Sequence, residues 1–179
     1  MDEQIDLDTL GARLEQDCMG TDHVYIHWTA GHYGQHYDDY HINIDSDGTV
    51  FQTLPLWDTP SATWHRNTGS IAITLDCCPD ASIWRDGHVD FGSEPPTDAQ
   101  IEALAQVLAT ISNHLGIPID PLYMMTHAEA AELDGYGPNT TCERWDLWAL
   151  PDSTDWGSGG DYIRGKALHY QNEWEAENE

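Results

Sequence analysis

A chain of 179 residues, 40% of them hydrophobic, is long enough for one domain that buries a core without cross-links. Six Lys and Arg stand against 32 Asp and Glu, a formal charge of −26, so the basic face that nucleic acid requires is missing and no nucleic-acid partner is expected. No window approaches the roughly 18 apolar residues of a membrane span, and the start MDEQIDLDTL lacks the basic and apolar regions of a secretory signal. The acidity suits either a high-salt setting, where the Debye length falls to about 3 Å at 1 M and self-repulsion is screened, or an acidic protein of an ordinary organism. Cys18, Cys77, Cys78 and Cys142 are too few and too irregularly spaced for a disulfide framework and read as reduced thiols.

In chain order, residues 5–17 place Ile5, Leu7, Leu10 and Leu14 at partly helical spacing, with Gly20 as a stop. Val24 to Trp28 is a short buried strand, and Gly31 to Asp39 is a loop of Gly, His, Tyr and Asp. Tyr40 to Ile44 alternates with strand period, and Asp45-Ser46-Asp47-Gly48 turns it into a second strand over Thr49 to Leu54. Ser70 to Asp76 is a strand with an Ile71, Ile73, Leu75 face. The spacing of Ile101, Leu104, Leu108, Ile111 and Leu115 predicts a helix over 98–115, opened by a Thr97/Gln100 capping box and closed at Gly116. Leu122 to Thr126 is another strand. Asp152 to Gly160 has the composition of a linker or lid, and Asp161 to Glu175 has apolar residues for an amphipathic helix.

Two of the strands end in histidine: Val24-Tyr25-Ile26-His27 and Leu122-Tyr123-Met124-Met125-Thr126-His127, with Asp146 following in a polar loop. Two histidines and a carboxylate from distant stretches suit a catalytic zinc. Such a site keeps three protein ligands and leaves the fourth position for water, whose pKa the ion lowers to about 7.

The ordered blocks IHWTAG, YHINI with DGTV, WHRN, SIAITL, THAE and RWD resemble the type 2 N-acetylmuramoyl-L-alanine amidases, a superfamily that includes phage lysozyme-type amidases and peptidoglycan recognition proteins. The resemblance spans roughly residues 22 to 150. It implies a single-domain α/β fold, a central mixed sheet flanked by helices with a Zn2+ site at the strand ends. It also implies hydrolysis of the amide between the lactyl group of N-acetylmuramic acid and L-alanine, with peptidoglycan as the partner. Residues 1–151 would form the catalytic domain, and 152–179 an acidic extension of linker plus helix packing on it.

Carried over residue by residue, the zinc ligands fall on His27, His127 and Asp146, with Cys142 as a rival for the third. Arg144 takes the place of a family lysine that stabilises the oxyanion, a role an always-charged guanidinium can fill. Thr74 stands where many relatives have a catalytic glutamate. Tyr40, preceding a histidine as in the phage enzymes, is one candidate for orienting the water or sharing its proton, and Glu129 is the other. His65, Trp64 and Thr74 are expected on the substrate side, and Trp28, Trp57 and Trp145 as further stacking walls. The expected setting is a monomeric phage endolysin or virion-associated lysin, reaching the cell wall after release from the host cytoplasm or by virion delivery. The alternatives are an inactive peptidoglycan-binding module and a cytoplasmic amidase that recycles anhydromuropeptides.

Overall fold

A computed structural model describes residues 2–18, 20–84 and 86–178, without the side chains of Glu177 and Asn178. The elements run β1 (Glu3–Gln4), α1 (Leu7–Asp17), β2 (His23–Trp28), β3 (Ile42–Ile44), β4 (Val50–Gln52), β5 (Ser70–Leu75), β6 (Ser82–Ile83), β7 (Val89–Asp90), α2 (Asp98–Leu115), β8 (Met124–Thr126), α3 (His127–Asp134) and α4 (Gly159–Asn178). Six strands form one sheet in the order β1-β4-β3-β5-β2-β8, and β6 and β7 pair as a separate hairpin. The pairs β3–β5, β5–β2 and β2–β8 are parallel, whereas β4 is antiparallel to both of its neighbours. This is the mixed α/β architecture expected.

Period-two alternation sorts the sheet into two faces. Val24, Ile26, Ile42, Ile44, Ile71, Ile73 and Leu75 belong to the main core, together with Leu10 and Leu14 of α1, Leu104, Leu108 and Ile111 of α2, and Ile163 and Ala167 of α4. The intervening residues of β2, including Tyr25 and His27, lie on the other side, where Tyr25 and Met125 pack with Ala130 of α3. Three helices therefore seal one face, and the chemistry is built on the opposite one.

Helix α2 has the predicted bounds. Thr97 Oγ1 accepts from the Gln100 backbone N–H and the Gln100 side chain accepts from Thr97 N–H, while Gly116 takes the left-handed C-cap at φ 68°. The turn after β3 also forms as read, with Gly48 at φ 86° and its N–H donating to the Asp45 carbonyl. Other strands are shorter than their apolar runs: β3 starts at Ile42 and β8 at Met124.

The stretch 152–160, which has the composition of a linker or lid, runs as a series of turns into α4. Leu150 and Ser153 exchange backbone hydrogen bonds, the Ser158 hydroxyl bonds within the same turn, and α4 starts at Gly159. Its opening glycines are there for close approach. A Cβ on Gly159 would run into the Leu147 carbonyl, and one on Gly160 into the Glu129 carboxylate. Composition alone does not distinguish such a tight seat from a flexible Gly/Ser run.

Candidate metal centre

His27 comes from the penultimate position of β2, where its register partner is Thr74 of β5. His127 is the first residue of α3, immediately after β8, and Asp146 sits in a turn near the start of the C-terminal segment. All three are buried. Their ligand atoms converge: His27 Nδ1 lies 3.1 Å from His127 Nδ1, and Asp146 Oδ2 lies 3.5 Å and 3.4 Å from those nitrogens. Ligands about 2.0–2.1 Å from a tetrahedral zinc are separated by about 3.3–3.4 Å, so the set fits that ion. Among the described residues these three form the one group of His, Cys, Asp or Glu that close together. Cys142 is not in it; its backbone takes φ 60° and it lines a different cavity.

With Nδ1 directed at the centre, His27 Nε2 is left to donate to Thr63 Oγ1 at 3.2 Å, which fixes the tautomer and the ring plane. Thr63 was not singled out by sequence reasoning, although it adjoins the Trp64-His65 block. Burial lowers the His27 imidazole to about 4, with Asp146 opposing and His127 reinforcing the shift. Burial would raise the Asp146 carboxyl, but the charges and hydrogen bonds of His127 and His27 outweigh it and hold the group well below the usual carboxylate range. Neutral His27 and ionised Asp146 are the forms a metal ligand needs.

These shifts set a pH dependence for the metal-free protein. The unfolded chain protonates His27 near 6.5, the folded one only near 4. The unfolded state then binds more protons between those values. Stability from neutral His27 is complete above the unfolded pKa and is lost as pH falls towards 4, and Asp146 adds a loss of the same sign at lower pH. In urea titrations of chelated protein, the drop in unfolding free energy between pH 7 and 4.5 is expected to be smaller in His27→Gln than in the parent, by on the order of 2 kcal/mol. Equal drops would contradict this account of His27.

A cleft of about 890 Å³ opens on the centre, lined by Thr63, Trp64, His127, Tyr136, Glu143 and Arg144 among others. It runs into a second hollow that shares His127 and Arg144 and adds Tyr40 and Asp146. Arg144 is exposed and donates to the Glu143 carbonyl at 2.8 Å. Arg13, Arg66, Arg164 and Lys166 are each held in an ion pair; among the described residues Arg144 is the cation that is not. In so acidic a chain, an uncommitted guanidinium in the cleft is a scarce resource.

The Tyr40 ring stands 5.1 Å from that of His27. Burial first, then the charges of Asp146 and Asp39, push its phenol above the ordinary tyrosine range, so it stays protonated. A phenol in that state donates hydrogen bonds and does not act as a base. Thr74 is wholly buried and its Oγ1 makes no hydrogen bond of normal geometry, yet it lies near enough to the Tyr40 hydroxyl to favour ionisation slightly. Thr74, expected on the substrate side, thus stands beside Tyr40 in the interior and lines neither hollow.

Two further residues expected at the site line neither hollow. Glu129 does not continue a strand; it is N3 of α3, its carboxylate accepting from the Thr126 N–H and from both terminal nitrogens of Arg164. Both oxygens are thus committed away from the centre. His65 takes a left-handed φ of 59° and packs its ring on Trp64 at 4.0 Å, outside the cleft lining, and Thr63 takes the inward position instead. Trp64 itself is 62% exposed at the rim. Trp28 and Trp145 pack edge to face 4.9 Å apart beneath the second hollow, and Trp57 lines none of these spaces. His41, read as structural, is wholly buried, with Nδ1 accepting from Ala72 N–H and Nε2 donating to the Asp58 carbonyl. A residue the sequence reading passed over is Tyr136, whose ring stands edge-on 6.2 Å from His127 and whose buried hydroxyl has no protein partner.

Fold and site together define an α/β protein with a buried mononuclear metal-ligand set beside an open cleft. The profile of the N-acetylmuramoyl-L-alanine amidase family matches residues 18–145, and the chain belongs to that family. No curated protein matches the sequence. Among solved structures, the chain is similar to the Ph2119 endolysin from Thermus scotoductus MAT2119 bacteriophage Ph2119, at 19% identity and a TM-score of 0.47, over 62% of this chain and 73% of the other. No described helix is long and apolar enough to cross a membrane.

Proposed function

We propose that the protein is a zinc-dependent N-acetylmuramoyl-L-alanine amidase that hydrolyses the lactyl–L-alanine amide of peptidoglycan. The observation that carries the reading is the buried set of His27, His127 and Asp146 at tetrahedral spacing. These three side chains would hold Zn2+, which when bound supplies a Lewis acid and an acidified water. Arg144 faces the oxygen that becomes negative as the carbonyl is attacked, a position where a fixed cation is worth several kcal/mol in a site shielded from water. Tyr40, kept protonated, donates a hydrogen bond that orients the attacking water or steadies the oxyanion. Trp64 at the rim offers an indole face to the substrate. Glu143, exposed at the junction of the two hollows, is positioned to take the proton that the attacking water gives up and to pass it to the departing amine. The setting that suits this chemistry is lysis by a phage endolysin or virion-associated lysin acting as a monomer.

The test is the zinc content of purified protein together with release of L-alanine N-termini from intact sacculi and from soluble anhydromuropeptides, before and after chelation. One zinc per chain with chelator-sensitive release from sacculi is the expected result. Zinc without release would replace the enzyme by a binding module, and release from anhydromuropeptides alone would assign it to recycling. Repeating the assay in molar salt is expected to raise activity if the charge of −26 reflects a saline setting.

A further inference from the structure

Beyond the catalytic cleft lies a second cavity of about 760 Å³, between the β6–β7 hairpin, the 138–142 loop and the turn that carries Trp156. The two spaces meet at Thr141, which lines both. Two indoles form its walls, Trp84 at 47% exposure and Trp156 at 38%. Neither is a loose surface side chain. Trp156 Nε1 donates to Asn139 Oδ1 at 2.8 Å, and its ring meets Trp148 edge to face at 6.0 Å. Trp84 packs against His88 at 5.1 Å. Holding large apolar faces rigid and wet on both sides of one groove gains nothing for folding, so a ligand is the simplest account of them.

The floor between the indoles is polar. The Thr140 and Thr141 hydroxyls donate to the Gly137 and Tyr136 carbonyls and keep lone pairs for a ligand's hydroxyls, and Asp86 adds a carboxylate at the edge. Apolar faces for C–H surfaces, combined with acceptors for hydroxyl groups, is the chemistry of a neutral sugar ring.

We propose that the groove between Trp84 and Trp156 is a saccharide subsite, holding the glycan strand of the substrate beside the amide to be cut. The inference rests on the amidase reading for the identity of the polymer but not for the chemistry of the ligand. Trp84 lies within the span matched by the family profile and Trp156 beyond it, so the groove is closed by the C-terminal segment.

The experiment titrates a β-1,4-linked N-acetylglucosamine tetramer into the full-length protein and into Trp84→Ala and Trp156→Ala, following the indole resonances by NMR. Saturable binding is expected, weakened about tenfold or more by either substitution, a loss of about 1.4 kcal/mol. In the same variants KM for release of L-alanine N-termini from intact sacculi is expected to rise. Absence of tetramer binding, or binding that neither substitution alters, overturns the proposal. So does a stem peptide that competes for the groove while the tetramer does not. If Trp156→Ala fails to fold because its packing on Trp148 is lost, Trp84→Ala on the exposed hairpin decides alone. Tryptophan-dependent tetramer binding by a protein that cuts no peptidoglycan would keep the subsite and remove the amidase.

Discussion

Replacing His127 with alanine is expected to abolish hydrolysis and to drop the zinc content well below one per chain, while muropeptide binding and the folded state persist. The argument is geometric. His127 supplies one corner of a triangle whose edges are 3.1–3.5 Å, and the remaining pair, His27 and Asp146, cannot by itself hold an ion against water or chelator. The loss should exceed by a wide margin the roughly 10–100-fold typical of removing an outer hydrogen-bond partner. Thr63→Val, which takes away the acceptor for His27 Nε2, should fall within that smaller range. His127 lines the cleft, so water can fill the space the ring vacates and the fold is spared a dry cavity. Two measurements check this: zinc bound per chain after dialysis, and the rate of L-alanine N-terminus release. A variant that cuts at the parental rate would remove His127 from the centre and the zinc mechanism with it.

The histidines were legible because each ends an apolar run of strand length, and strand ends on one sheet edge are where distant residues meet. What lies around them was less so. The apolar run Leu122–Thr126 reads as a strand and gives no sign of a helix after it, yet Thr126 and Glu129 form the reciprocal capping box of α3. The signature that identified α2 so cleanly was therefore present twice, and the second copy was hidden because the helix it opens is only eight residues long and has no apolar stripe to announce it. Its place as N3 of that helix turns the Glu129 carboxylate to the Thr126 N–H and Arg164. Thr63, Tyr136 and the inward or outward turn of His65 depend on left-handed loop backbone that no periodicity encodes. The short β6–β7 hairpin and the two-residue β1 are likewise held by their surroundings and not by strand propensity. Asp146 stands in a polar loop that no period marks, and the resemblance leaves Cys142 as its rival; the convergence of Asp146 on the two histidines separates them.

Arg164→Met is expected to destabilise the protein by about 3–5 kcal/mol, the usual cost of stripping one partner from a buried ion pair. Arg164 is 4% exposed in α4, the helix of the acidic extension expected to pack on the domain. One terminal nitrogen donates to the Met124 carbonyl at 2.9 Å and to Glu129 Oε2 at 2.8 Å, while the other donates to Glu129 Oε1 at 2.7 Å and Asp161 Oδ1 at 2.6 Å. Removing the guanidinium leaves Glu129 charged and half-enclosed, and leaves the β8 carbonyl without a partner. Because Glu129 Oε2 also accepts from the Thr126 N–H, the disturbance reaches the turn that presents His127. Zinc affinity should then fall along with stability, although no ligand has been touched. Glu129→Met alone should cost a comparable amount, since it strands the arginine. The double variant Glu129→Met with Arg164→Met should recover much of the loss, because an apolar pair needs no compensation for desolvation. Urea unfolding of the four proteins gives the coupling energy directly. A single-variant loss below about 1 kcal/mol, or strict additivity in the cycle, would mean that the pair is solvated in solution and that α4 is not fastened to the metal-bearing helix through it.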